Sequence, residues 1–318
     1  MGLGLGISVD WASLVPYYAQ VASAFKARVE ADGGTVESMS CLKADLKVLN
    51  PIKPVPSAFD EDYQAILDRS TALGYTAPSA AQQTLQNTLV TDLKTAGVWS
   101  KLDLFYVFAT DGDSDYATLN WKAPSSFQLT KTNSPTFTAN QGFAQSGTAY
   151  LDSGFVLETD ATNYTRDDAG VFVGFPTLGS ANQSNSRPLG TSLTANYLDI
   201  RLDFNTSSPS NITWINSSTA LLFPAYKVNN SILFINRTSS SAVNTRSADL
   251  ANDLNYTHSG TAASSNLEAA TLRLLKGRGG DYFEQTANIG IAAAGSSLTT
   301  TDMEAVEDAW YTNYFTSL

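Results

Sequence analysis

Three carboxylates, Asp111, Asp113 and Asp115, stand at alternate positions in Thr110-Asp-Gly-Asp-Ser-Asp-Tyr116. Hard cations such as Ca²⁺ take oxygen ligands, so this is the first place to look for a metal. An EF-hand loop starting at Asp111 would need Gly sixth and Glu twelfth, where Tyr116 and Lys122 stand. Asp and Gly are also the residues of a polar turn, and the turn is the preferred reading. The chain is therefore expected to hold no cofactor, with the Asp triplet as its Ca²⁺ candidate.

Glycoside hydrolysis needs two carboxylates about 5 to 9.5 Å apart, according to mechanism. The alternating acid pair on a strand is Asp199 and Asp203, with Arg201 between them. Four residues along a strand separate the two by roughly 13 Å, too far for either mechanism. Their alternation with Leu198, Ile200, Leu202 and Phe204 reads as the solvated face of an amphipathic strand. Glu158 and Glu284 stand alone in sequence. His258 is the single histidine, in the polar context Tyr-Thr-His-Ser-Gly, with no Gly-x-Ser-x-Gly elbow anywhere. A triad would have one possible base. These observations give the expectation that the chain is not an enzyme and has no catalytic residues.

Sugar binding asks for an aromatic beside Asn, Asp or Gln. Trp214 between Asn211 and Asn216, and Tyr197 beside Asn196, are the candidates. Aromatics in strands are also core residues, so each has a structural reading of its own.

Composition bounds the partners. A net charge of −11 over 318 residues argues against nucleic acid, which needs clustered Lys and Arg. The strongest basic cluster is Lys276-Gly-Arg278. Cys41 is the one cysteine, so neither an intrachain disulfide nor a Cys-based zinc site is expected. The start, Met1 to Tyr18, is apolar but lacks the basic lead of a signal peptide, and Asp10 and Pro16 interrupt it. No membrane span is expected.

The elements that must position these residues fall into two kinds. Residues 1–16 read as a Gly-rich apolar arm suited to an assembly. Apolar spacing of three and four predicts helices over Trp11–Glu30, Asp60–Leu73 and Ser79–Ala96, with a shorter one within Thr35–Asn50 and a Pro-rich linker at 51–56. Leu102 to Phe108 reads as a strand buried on both faces. Beyond Trp121 come ten or so short strands with turn residues between, among them Ala149–Leu151, Gly170–Val173, Asn196–Phe204, Ile212–Ile215, Ser231–Ile235 and Ala270–Leu275. That spacing indicates a sandwich or jelly roll. Met303 to Phe315 reads as a closing helix, capped by Thr301 or Asp302.

Three stretches resemble bacteriophage virion proteins. Arg28-Val-Glu-Ala-Asp-Gly-Gly-Thr-Val-Glu-Ser38 looks like a segment found near their start. Asp68 to Pro124, including Phe108-Ala-Thr-Asp-Gly-Asp-Ser-Asp-Tyr-Ala-Thr-Leu-Asn-Trp121, is similar to the region before a concanavalin A-like (laminin-G-like) jelly roll. Ile235-Asn-Arg-Thr-Ser-Ser and Ala294-Gly-Ser-Ser-Leu-Thr through Phe315 match that jelly roll's later strands and closing helix. The resemblance spans roughly three quarters of the chain and leaves Met1 to Gly6 outside it. It implies a mainly β fold: a jelly-roll sandwich over 111–318 preceded by a helical anchoring region over 17–110. It implies a virion location and a structural role as fibre, decoration or tail component. Other virion proteins would bind through the N-terminal region, and a homo-oligomer is expected from that class. The alternative is a carbohydrate-binding protein that recognises host surface glycans; a glycan hydrolase is third.

Overall fold

A computed structural model describes residues 59–178, 186–191, 198–203, 210–224, 229–277, 283 and 287–318. The predicted arm, the helices of residues 11–50, the Pro-rich linker, Tyr197, Asn196 and Glu284 lie outside the described residues.

Two helices open the described chain, and their ends follow from the sequence. Helix α1 (Glu61–Leu73) starts where the Asp60 side chain accepts from the Asp62 N–H and stops at Gly74, whose φ of 73° is left-handed. Helix α2 (Ala80–Thr95) is capped by the Ser79 side chain, which accepts from the Gln82 N–H. Both capping residues relieve backbone donors that a first turn leaves unpaired.

Antiparallel strands follow in three sheets. The six-stranded sheet runs β1 (Leu102–Val107), β17 (Ile291–Gly295), β6 (Ala169–Phe175), β12 (Ser231–Arg237), β13 (Ala242–Asp249), β14 (Leu254–Thr261). The seven-stranded sheet runs β11 (Leu221–Pro224), β10 (Ser210–Trp214), β9 (Asp199–Asp203), β8 (Ser186–Thr191), β15 (Thr271–Leu274), β5 (Tyr150–Val156), β2 (Thr130–Thr132). A small sheet of β3 (Thr136–Thr138), β4 (Gly142–Ala144), β16 (Ala287–Ile289) and β7 (Thr177–Leu178) completes the set.

The period-two alternation of the strands builds two cores. Leu104, Val171, Val173, Leu233 and Ile235 of the six-stranded sheet meet Leu151, Leu189, Ile200, Leu272 and Leu274 of the seven-stranded one. The opposite face of the six-stranded sheet presents Phe105, Phe172, Ile232 and Phe234 to Ile66, Leu89, Leu93 and Trp310. The centre of that sheet is thus buried on both sides, which is why β6 and β12 are buried at every position. The fold is a mainly β, antiparallel sandwich with helices near the ends of the described chain.

Two expectations need correction. The seam between 110 and 111 does not divide the fold, because residues 58–318 form one compact unit. β1, assigned to the anchoring region, pairs with β17 inside the sandwich, with Phe105 opposite Ala293 and Val107 opposite Ile291. The closing helix is the second. Helix α3 (Thr300–Glu307) is capped by Thr299, in a capping box with Asp302, and not by Thr301 or Asp302. Beyond it the chain widens into a π-helical turn over Asp308–Tyr314. The wider turn carries the fully buried Trp310 onto Gly174, where a Cβ would lie 2.8 Å from two of its ring carbons. Glycine there makes room for the indole.

Candidate functional site

The Asp111–Asp115 carboxylates are engaged by the protein itself. Asp111 accepts from the Ser79 N–H at 3.0 Å, and Asp113 from the N–H groups of Thr76 at 2.6 Å and Tyr116 at 2.7 Å. Burial raises the Asp113 pKa, but these backbone donors outweigh it and hold the group below the usual carboxylate range. Asp115 pairs with Lys131 at 2.7 Å. The triplet therefore stitches the entry of α2 to the loop after β1. Among the described residues, no group of three or more His, Cys, Asp or Glu is placed to hold a metal ion.

The seven-stranded sheet carries the other candidates. Leu198, Ile200 and Leu202 face the core, as their alternation predicted. Asp199 points to the outer face but is not solvated, which corrects the reading of that strand: it is fully buried in an ion pair with Arg187. The reason is a close backbone cover. A Cβ on Gly277 would lie 2.5 Å from Arg187 Cδ and would overlap Asp199 Oδ1, so glycine lets the chain after β15 lie directly on the pair. The Asp203 side chain is outside the described positions.

Trp214 shares this outer face, opposite Asp199 in register, and is 8% exposed. The Arg187 guanidinium carbon sits 5.8 Å from its ring centroid. Asn216 does not join Trp214. It is buried, accepts from the Tyr164 hydroxyl at 2.7 Å and donates to the Thr165 and Arg166 carbonyls at 3.1 Å, so it holds a loop. Its φ of 49° suits asparagine in a turn. Asn211 lies in β10 opposite Leu202, its side chain outside the described positions. His258 is in β14 rather than a loop, half-buried, 6.2 Å ring to ring from Phe223. Glu158 is exposed in a turn.

Register aligns one row across five strands of the outer face: Asp152 on β5, Arg273 on β15, Gly190 on β8, Asp199 on β9 and Trp214 on β10. At the β5 end, Arg273 pairs with Asp152 at 2.9 Å, both partly exposed. The Arg273 guanidinium carbon is 5.1 Å, and Lys276 Nζ 4.4 Å, from the Tyr150 ring centroid. Two cations against one aromatic ring beside a carboxylate give a half-open group of donors, acceptor and flat apolar surface. Asp152 and Asp199 are three strands apart, about 14 Å at the usual strand spacing, so this particular pair is not an acid–base couple for a glycosidic bond.

Tyr150, Asp152, Arg187, Arg273 and Lys276 are not among the site candidates read from the sequence. The signal was present. Leu151, Leu272 and Leu274 face inward, so Tyr150, Asp152 and Arg273 must face outward. Also missed was Glu268, 4% exposed and hydrogen-bonded to the Thr191 hydroxyl, whose burial raises its pKa.

No family model matches the chain, and no curated protein matches it. Similar solved structures include domain 4 of AbnA, a GH43 extracellular arabinanase from Geobacillus stearothermophilus (TM-score 0.41, 12% identity, 65% of this chain and 98% of that one). A Trypanosoma rangeli sialidase is similar at TM-score 0.41 and 10% identity, over 73% of this chain and 40% of its own. The enzymatically active domain of bacteriophage CBA120 tailspike protein 2 is similar at TM-score 0.39 and 9% identity, over 57% of this chain and 30% of its own. These neighbours overturn the expectation that the chain is not an enzyme. A domain of an arabinanase and a sialidase stand among them, and that exclusion is withdrawn.

Proposed function

We propose that this chain is a component of a bacteriophage particle whose lectin-like sandwich recognises a host surface glycan on the outer face of its seven-stranded sheet. The observation that carries the reading is the partly exposed group Tyr150, Asp152, Arg273 and Lys276. Sugars are held by directional hydrogen bonds to charged and polar groups and by flat apolar contact, and this group offers both. Its elements support precision, because β5 and β15 are anchored by Leu151 and Leu274 in the core. The particle role is supported by the resemblance over Asp68–Pro124 and Ala294–Phe315. In that role the chain would assemble with other virion proteins as a homo-oligomer.

A glycan array with the full chain tests the recognition. Binding to at least one bacterial surface polysaccharide is expected, with Arg273→Ala weakening it by about tenfold or more, since a charge-assisted bond contributes about 1.5–3 kcal/mol. Binding to no polysaccharide, or binding unchanged by Arg273→Ala in a folded variant, would sink the proposal. Labelling of purified particles by antibody against the chain tests the location.

A further inference from the structure

At the β5 end of the outer face, Arg273 lies opposite Asp152 in register, and its Nε donates to Asp152 Oδ2 at 2.9 Å. The same oxygen accepts from the Thr271 hydroxyl at 3.2 Å, and Oδ1 accepts from the Gly154 N–H at 3.0 Å. A carboxylate has about four acceptor positions. The protein itself fills most of them at Asp152, so the acceptor of this group is largely engaged.

The donors are not. A guanidinium offers N–H groups on Nε, Nη1 and Nη2 in one plane. Arg273 gives Nε to Asp152; among the described residues, Nη1 and Nη2 have no hydrogen-bond partner and neither is buried. They face solvent on a side chain that is 22% exposed. Arg246 is the contrast, because its Nε and Nη2 both close on Glu307, at 2.7 and 2.8 Å. The Arg273 fork is also held in place. Leu272 and Leu274 on either side anchor β15 in the core, and the guanidinium carbon lies 5.1 Å from the Tyr150 ring centroid. Lys276 Nζ, 4.4 Å from that ring, sets a second cation beside it.

We infer that the sugar recognised on this face is an acidic one, its carboxylate seated on Nη1 and Nη2 of Arg273. This rests on the glycan reading above and names its ligand class. Neutral sugars present hydroxyls that both donate and accept, so they are matched best where both kinds of group are open. Here the acceptor is engaged and the open donors form a flat, charged fork. Its complement is a flat anion that takes two parallel N–H···O bonds, and a carboxylate has that shape. The overall field does not do the selecting. With a net charge of −11 the chain gives a polyanion no general attraction, so the preference arises at the fork, within a screening length of about 8 Å.

Binding of the full chain to bacterial surface polysaccharides, each tested native and after reduction of its carboxyl groups to primary alcohols, tests the assignment. The polysaccharides bound are expected to contain a uronic acid or another carboxylate-bearing sugar, and reduction to weaken binding about tenfold or more. Arg273→Lys keeps the charge but has one nitrogen in place of the fork. It is expected to weaken binding to the native form about fivefold and to leave binding to the reduced form unchanged. Selection of neutral polysaccharides, or binding that survives reduction, would overturn the acidic ligand and leave the glycan reading standing. Arg273→Lys equal to wild type on the native form, or weakened equally on both forms, would overturn the fork. Binding to no polysaccharide would overturn both readings.

Discussion

The Thr191 hydroxyl carries one proton and has two acceptors in reach, Glu268 Oε2 and, at 3.2 Å, Leu198 O. Both contacts are satisfied when the Glu268 carboxyl is protonated and donates to Thr191, which donates in turn to Leu198. Burial raises the Glu268 pKa in the same direction, and the other oxygen of the carboxyl has no partner. The linkage has a definite sign. A folded pKa above the unfolded one stabilises the protein at low pH, and that stability is lost as pH rises through the folded value. Glu268→Gln, which keeps the shape and stays neutral, is expected to raise stability at pH 7 by about 1 kcal/mol and to change it little near pH 4. Urea denaturation of both proteins at the two pH values measures this. A variant less stable than wild type at pH 7 would show that Glu268 is ionised and satisfied. Asp302 has the opposite sign: burial raises its pKa, but Lys101 and Thr299 outweigh it and hold the group low.

Helix α2 docks onto the sandwich through the buried amides of Gln82 and Gln86 as well as through its apolar stripe. Gln86 is fully buried; its oxygen accepts from the hydroxyls of Tyr63 at 2.9 Å and Tyr116 at 2.6 Å. Its nitrogen donates to Thr110 Oγ1 at 3.1 Å and to the Tyr314 hydroxyl at 3.2 Å. One side chain therefore fixes α1, the loop after β1 and the C-terminal turn against α2. Gln86→Leu keeps the volume but strands two tyrosine hydroxyls, and about 3 kcal/mol of stability should be lost. A loss under about 1 kcal/mol in chemical denaturation would mean that the hydroxyls find other partners. This network was not legible in the sequence, because glutamine at a buried helix position carries no periodic signal. The helices were legible, from Asp60, Gly74, Ser79 and the spacing of Ile66, Leu89 and Leu93. The seven-stranded sheet's core alternation was also legible at Leu198, Ile200 and Leu202. β13 and β14 were not, because Ala-Val-Asn-Thr-Arg-Ser-Ala-Asp and its partner are polar strands with little hydrophobic pattern. The burial of Asp199 was hidden as well, since the approach of Gly277 that helps to cover it is made in space and not in sequence.

At the scale of the molecule, the described residues of both cores fall within residues 58–318, a compact unit of its own. That unit is expected to fold without residues 1–57 and to melt in one cooperative transition with the full chain's midpoint, measured by calorimetry. Two transitions, or a midpoint lower by more than about 5 °C, would tie the first 57 residues into the fold.

The place of β17 in the six-stranded sheet has a consequence for biosynthesis. β1 and β6 are both made early, yet neither pairs with the other: β17, residues 291–295, lies between them. Until residues 291–295 leave the ribosome, Phe105 and Phe172 sit on two strands with an empty slot where their common neighbour belongs. Formation of the six-stranded sheet is therefore gated by synthesis of β17. Truncated translation products would carry two open, aromatic strand edges, a template for aggregation.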